Sequence, residues 1–148
     1  MRRLAVILGA GGAAFLAAVF YLTDKAMMRG DPLSLLGQLF LDVNPVAKLV
    51  LIGLFGSLVA IGVVGMVRLT ARAGAPSEAL KTASYVCPLA GVATAGYLLY
   101  LTLSVAARLH VTNLAIMAPS LAEGALTAAV GLLAGALAAG LSGRRAPS

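Results

Sequence analysis

The sequence predicts an all-α membrane protein whose chain crosses a bilayer four times, and three observations carry that expectation. Hydrophobic residues make up 61% of the 148 positions and charged residues 11%, with a mean hydropathy of +1.00; soluble chains run near 45–50% apolar and about 25% charged. The apolar residues fall into runs long enough to cross a hydrocarbon core, which takes about 20 of them. The connectors between the runs are short, which leaves no room for a soluble catalytic domain.

The first run, about residues 4–23, follows Arg2 and Arg3 and is closed by Asp24 and Lys25. These flanks also suit a secretory signal, but the run is long for its apolar region and no A-x-A cleavage site precedes Asp24, so a retained span is expected. The second run, about 45–68, carries Lys48 near its start and ends toward Arg72; the third, about 83–108, lies between Lys81 and Arg108. The fourth, about 113–142, stops before Arg144 and Arg145. None has an amphipathic period wide enough to turn one face to water. Between the first two runs, Asp31 is placed as an N-cap and Pro32 at the first helical position. The apolar stripe of Leu33, Leu36 and Phe40 then predicts a short interfacial helix over about 32–42. The connector 71–82, with Gly74, Pro76 and Ser77 as a candidate N-cap, joins two helices and holds no domain.

The formal net charge is +6. The basic residues are scattered through connectors rather than gathered on one face, so lipid headgroups are the expected partners and nucleic acid is not. With the N-terminus inside, Arg2, Arg3, Arg68, Arg72, Lys81, Arg144 and Arg145 lie on the inner side, against Lys25, Arg29, Lys48 and Arg108 outside. That bias predicts both termini in the cytoplasm. Cys87 is the one cysteine, which excludes an intramolecular disulfide and leaves it a packing residue. His110 has no second ligand at metal spacing, and there is no nucleophile–base pair or phosphate-binding glycine loop. No enzyme activity, cofactor or metal is expected.

Of the five acids, Asp24, Asp31, Asp42 and Glu78 sit in connectors, and Glu123 falls inside the fourth span. An ionised acid there costs at least about 2.5–3.5 kcal/mol. The neutral form is therefore favoured unless a cation or donor lies nearby. Such a group suits a proton relay, and it also suits a neutral interhelical hydrogen-bond donor worth roughly 1 kcal/mol. Ser120, Glu123, Thr127 and Gly131 share one helical face, and Pro119 removes the donor that Ala115 would receive, which can bend the helix. On the third span Cys87, Gly91, Thr94, Leu98 and either Leu101 or Thr102 make a comparable face. The two faces could line a narrow polar path, or the threonines could bond back to their own helix carbonyls. Gly131 and Gly135, and on the second span the pairs Gly53/Ser57 and Gly56/Ala60, repeat a small-xxx-small spacing that favours close helix contacts and an oligomer.

The segment Val111 to Gly135, VTNLAIMAPSLAEGALTAAVGLLAG, resembles the last transmembrane helix of the MotA/TolQ/ExbB proton-channel family, nearest its ExbB/TolQ branch. Thr112, Asn113, Leu114, Ala115, Ala118, Pro119, Ala122, Glu123 and Gly131 match a TNLA…APGIAEAL…ATAIGL pattern. Pro88 and Gly91 fall where the family places a proline and glycine, and NPVAKLVLIGLFGSLVA is similar to its first span. The resemblance implies a pentamer around the single span of an ExbD/TolR-like partner in the bacterial inner membrane, coupling proton flow to work at the outer envelope, as in protein transport. By position it makes Glu123 the pore-facing acid; the expected path past it is lined by Ser120, Thr127, Thr94, Gly91 and Pro119. Three features depart from the pattern. The threonines stand one residue early, beside Ala95 and Ala128; the large cytoplasmic domain is reduced to residues 71–82; and the span at 4–23 is extra. These departures leave a non-conducting oligomeric scaffold of the same fold as the alternative, and a rotor-ring subunit as a weaker one.

Overall fold

The computed structural model describes residues 2–25, 45–71, 77–110 and 114–142, and the regular structure among them is helical. Helix α1 spans Arg2–Lys25, α2 Pro45–Ala71, α3 Ser77–Leu109 and α4 Leu114–Ser142. All four are long and apolar enough to cross a membrane. The expected interfacial helix at 32–42 lies outside the described residues.

The third helix starts well before the apolar window that predicted it. Glu78 in its first turn complements the positive end of the helix dipole. Leu80, one turn in, is buried at 3% exposure against the core shared with α2 and α4. Polar residues between Ser77 and Thr82 thus extend the helix instead of linking two, and the gap between α2 and α3 shrinks to 72–76. At the other end α3 stops at His110, whose φ of 51° is the left-handed conformation that ends many helices.

Helix α4 occupies the centre. Of its apolar span 67% is buried by the other helices, against 11% for α1 and α3 and 22% for α2. Composition explains the assignment. Ala118, Ala122, Ala128, Ala129, Ala134 and Ala138 are fully buried, so α4 presents small surfaces on several sides and can accept several neighbours at close range. Lipid tails are as apolar as Leu, so helices in a bilayer associate by tight packing rather than by burying oil from water. The large side chains point outward: Ile7, Leu49, Met66, Leu89 and Tyr100 are each more than 65% exposed. In water that surface would be a serious cost, and in hydrocarbon it is none. The chain is a multi-pass membrane protein.

The helices alternate in direction. Gly91 meets Gly131 and Gly124 meets Ala95 and Leu98, so α3 and α4 are antiparallel. Gly9 meets Ala136 and Gly12 meets Leu133, which runs α1 against α4 in the same sense. Cys87 is a hydrogen-bonding neighbour of Ser57, and Ala47 clusters with Leu98, so α2 opposes α3 and runs parallel to α4. The N-terminal end of α1 and the C-terminal end of α4 therefore share one end of the bundle.

Candidate functional site around Glu123

The seam between α3 and α4 frames the site. A Cβ built on Gly91 would sit 2.8 Å from the Thr127 carbonyl oxygen, and one on Gly131 would sit 2.6 Å from that of Cys87. Only glycine lets the backbones come this near. One turn along, Gly135 rests on the ring of Pro88, close to the Ser84 carbonyl oxygen. Pro88 has no N–H to bond that carbonyl, so the Cα–H of Gly135 faces an oxygen without its usual helical donor.

The two faces expected to wall a path meet each other inside one chain. Thr127 is 2% exposed, and its hydroxyl donates to the Glu123 carbonyl oxygen at 2.8 Å. Thr102 donates in the same way to Leu98 at 2.8 Å. For both, bonding to the helix's own carbonyls is what the structure shows. Gly91 is buried in the seam, while Thr94, Ser120 and Pro119 are half-buried. Helix α4 continues through Pro119 without interruption.

Glu123 is half-buried and turned off this seam. It stands at i relative to Val130 at i+7, Ala134 at i+11 and Leu141 at i+18, spacings that return to one helical face. Val130 and Ala134, with Leu141 packed beside them, belong to the core that α4 shares with Leu51, Leu54 and Ile61 of α2 and with Leu80 and Cys87 of α3. Leu141 also lies against Gly65 of α2. The carboxyl-bearing face of α4 is thus its α2 face, one step in rotation from Gly124 on the α3 seam. The helical spacing in the sequence places Glu123 and Gly131 on one broad face. That grouping is broad enough to include both seams and does not separate them.

Among the described residues no three His, Cys, Asp or Glu side chains gather in a metal-binding group. The chain matches no family model, no curated protein and no solved structure.

Proposed function

We propose that this chain is a proton-conducting subunit of an inner-membrane motor similar to the ExbB/TolQ proteins, assembling as a pentamer around a single-span ExbD/TolR-like partner, with both termini cytoplasmic. The observation that carries the reading is Glu123, an acid set within a transmembrane helix whose buried surface is mostly alanine and glycine, with Thr127, Val130 and Leu132. Intramembrane acids are costly and are kept for ion and proton work. The APSLAEG block around it supplies the family resemblance.

Because α3 and α4 close on each other, a path would run between copies, on the axis where the partner's span would stand. Glu123, Ser120 and Thr94 keep exposed surface for such a path. Gly91 and Thr127 would stiffen its wall, and Pro119 would leave one carbonyl of α4 open near its start. A proton crossing 100 mV releases about 2.3 kcal/mol, enough to shift helix packings that differ by a few kcal/mol.

Proton flux into liposomes holding the chain and its partner tests this. Glu123→Gln keeps shape and hydrogen bonding but cannot titrate, and it should abolish flux; undiminished flux would end the relay reading. The scaffold alternative is favoured by the Thr127 hydroxyl being engaged on its own helix. It is the better reading if intact pentamers with the partner pass no protons at any voltage.

A further inference from the structure

Lys48 stands in the first turns of α2, half-buried, inside the apolar window Pro45–Val67. An unpaired carboxylate at Glu123 is costly in hydrocarbon, and the long stem of Lys48, near a helix end, lets its ammonium reach either the interface or a partner deeper in the span. Two independent contacts put these residues at one level. The first is the contact of Gly65 with Leu141, between helices that run parallel. Eighteen residues back along each, five full turns and about 27 Å, Ala47 comes opposite Glu123. The second contact lies at that level itself. Ala47, 1% exposed, clusters with Leu98, and Leu98 lies against Gly124, the residue after Glu123. Crossing of the helices therefore does not carry the two ends apart.

The rotations agree as well. Glu123 faces α2. Lys48 is turned about 100° from Ala47, to the flank opposite Ser57 and hence away from α3, where its long stem can fold back along the α2–α4 groove. The other described polar groups near this level are Tyr97 and Tyr100 of α3, 45% and 68% exposed, Thr102 of α3, which bonds to Leu98, and Tyr21 of α1, 58% exposed. On α4, Ser120 lies a turn away and the Thr127 hydroxyl is engaged. Arg108 and His110 sit beyond, exposed, at the end of α3.

We infer that Lys48 and Glu123 form a charge pair joining the start of α2 to the membrane-embedded part of α4, and that the pair holds Glu123 as a carboxylate. Each charge then answers the cost of the other, which an isolated acid in the span cannot do. A proton passed from water to a carboxylate oxygen gives the neutral acid and breaks the pair, leaving the ammonium to reach toward the interface. The pair itself does not depend on the proposed proton role; its use as a proton-sensitive latch does.

Infrared spectroscopy of the full chain in liposomes at neutral pH reads the charge directly, through the carbonyl stretch of a protonated carboxyl. The expected result is no such band in the parent or in Lys48→Arg, a band in Lys48→Met, and its loss in the Lys48→Met/Glu123→Gln double variant. A band in the parent that Glu123→Gln removes, or a Lys48→Met spectrum equal to the parent's, overturns the pair. If Lys48→Met fails to insert, recovery of the folded protein in the double variant supports the pair, and failure of the double variant as well overturns it. Flux measured on the same samples keeps the two readings apart. The band pattern without flux would retain the pair and remove the proton role, and flux that needs Glu123 without the band pattern would do the reverse.

Discussion

Gly91 and Gly131 bring the backbones of α3 and α4 into contact, each occupying the space where the other's side chain would begin. A Cβ on Gly131 would lie 2.6 Å from the Cys87 carbonyl oxygen and 2.9 Å from the Gly91 Cα. Their Cα–H groups point at carbonyl oxygens across the seam, weak hydrogen bonds of about 0.5–1 kcal/mol apiece. Gly131→Ala forces the backbones apart and should cost on the order of 1–3 kcal/mol, as overpacking does. Gly56→Ala, with open space around it, should be neutral or stabilising by up to about 1 kcal/mol. Unfolding in mixed micelles compares the two, and a Gly131→Ala protein as stable as its parent would mean that the seam is not closed.

Gly135 and Pro88 are tied more tightly still. A side chain on Gly135 would run into the proline ring, with the Ser84 carbonyl behind it at 3.2 Å. Residues in direct contact are where mutational effects stop adding. Gly135→Ala should therefore be severe in the parent and milder in a Pro88→Ala background, which removes ring atoms and restores a donor to the Ser84 carbonyl. A coupling of at least about 1 kcal/mol is expected. Simple additivity in a double-mutant cycle would place the proline ring away from the glycine.

The four spans were legible because hydropathy is a local property, summed over a window with no knowledge of neighbours. The early start of α3 was less so: residues 77–82 look like a linker by polarity, and only the burial of Leu80 against α2 and α4 explains why they are helix. The small-residue spacings promised close contacts without saying where. Gly131 and Gly135 meet α3, whereas Gly53 and Gly56 of α2 meet nothing within 4 Å in the chain. Glu123 was conspicuous in the sequence as an acid among apolar residues. Its approach to Lys48, far away along the chain, depends on α2 running parallel to α4 in one register, and no local pattern encodes that.

Thr127 offers a separation between wall and path. Its hydroxyl is buried and donates to Glu123's backbone carbonyl, an interaction that bends or relaxes a helix slightly rather than holding the fold. Thr127→Val keeps the shape, and the freed carbonyl retains its helical bond. Stability should fall by no more than about 1 kcal/mol, and proton flux should stay within about twofold of the parent, which is under 0.5 kcal/mol at about 1.4 kcal/mol per tenfold. A collapse of flux with stability intact would put the hydroxyl on the path and require α4 to rotate on assembly.

The docking of α1 can be fixed covalently, because α1 leans chiefly on α4 and its glycines set the approach. A Cβ on Gly9 would lie 3.9 Å from the Cβ of Ala136, within the 3.5–4.5 Å span that disulfides favour. In a Cys87→Ala background, which removes the buried native thiol, Gly9→Cys with Ala136→Cys should oxidise readily and link the first helix to the last. Ile7→Cys with Ala136→Cys should not, since Ile7 is 67% exposed on the far side of α1. Mobility on a non-reducing gel after proteolysis within residues 26–44 reads the outcome, because only a disulfide keeps the two fragments together. Separation of the fragments for the Gly9 pair would show that α1 does not dock on α4 in the membrane, and that the first span is not a fixed part of the bundle.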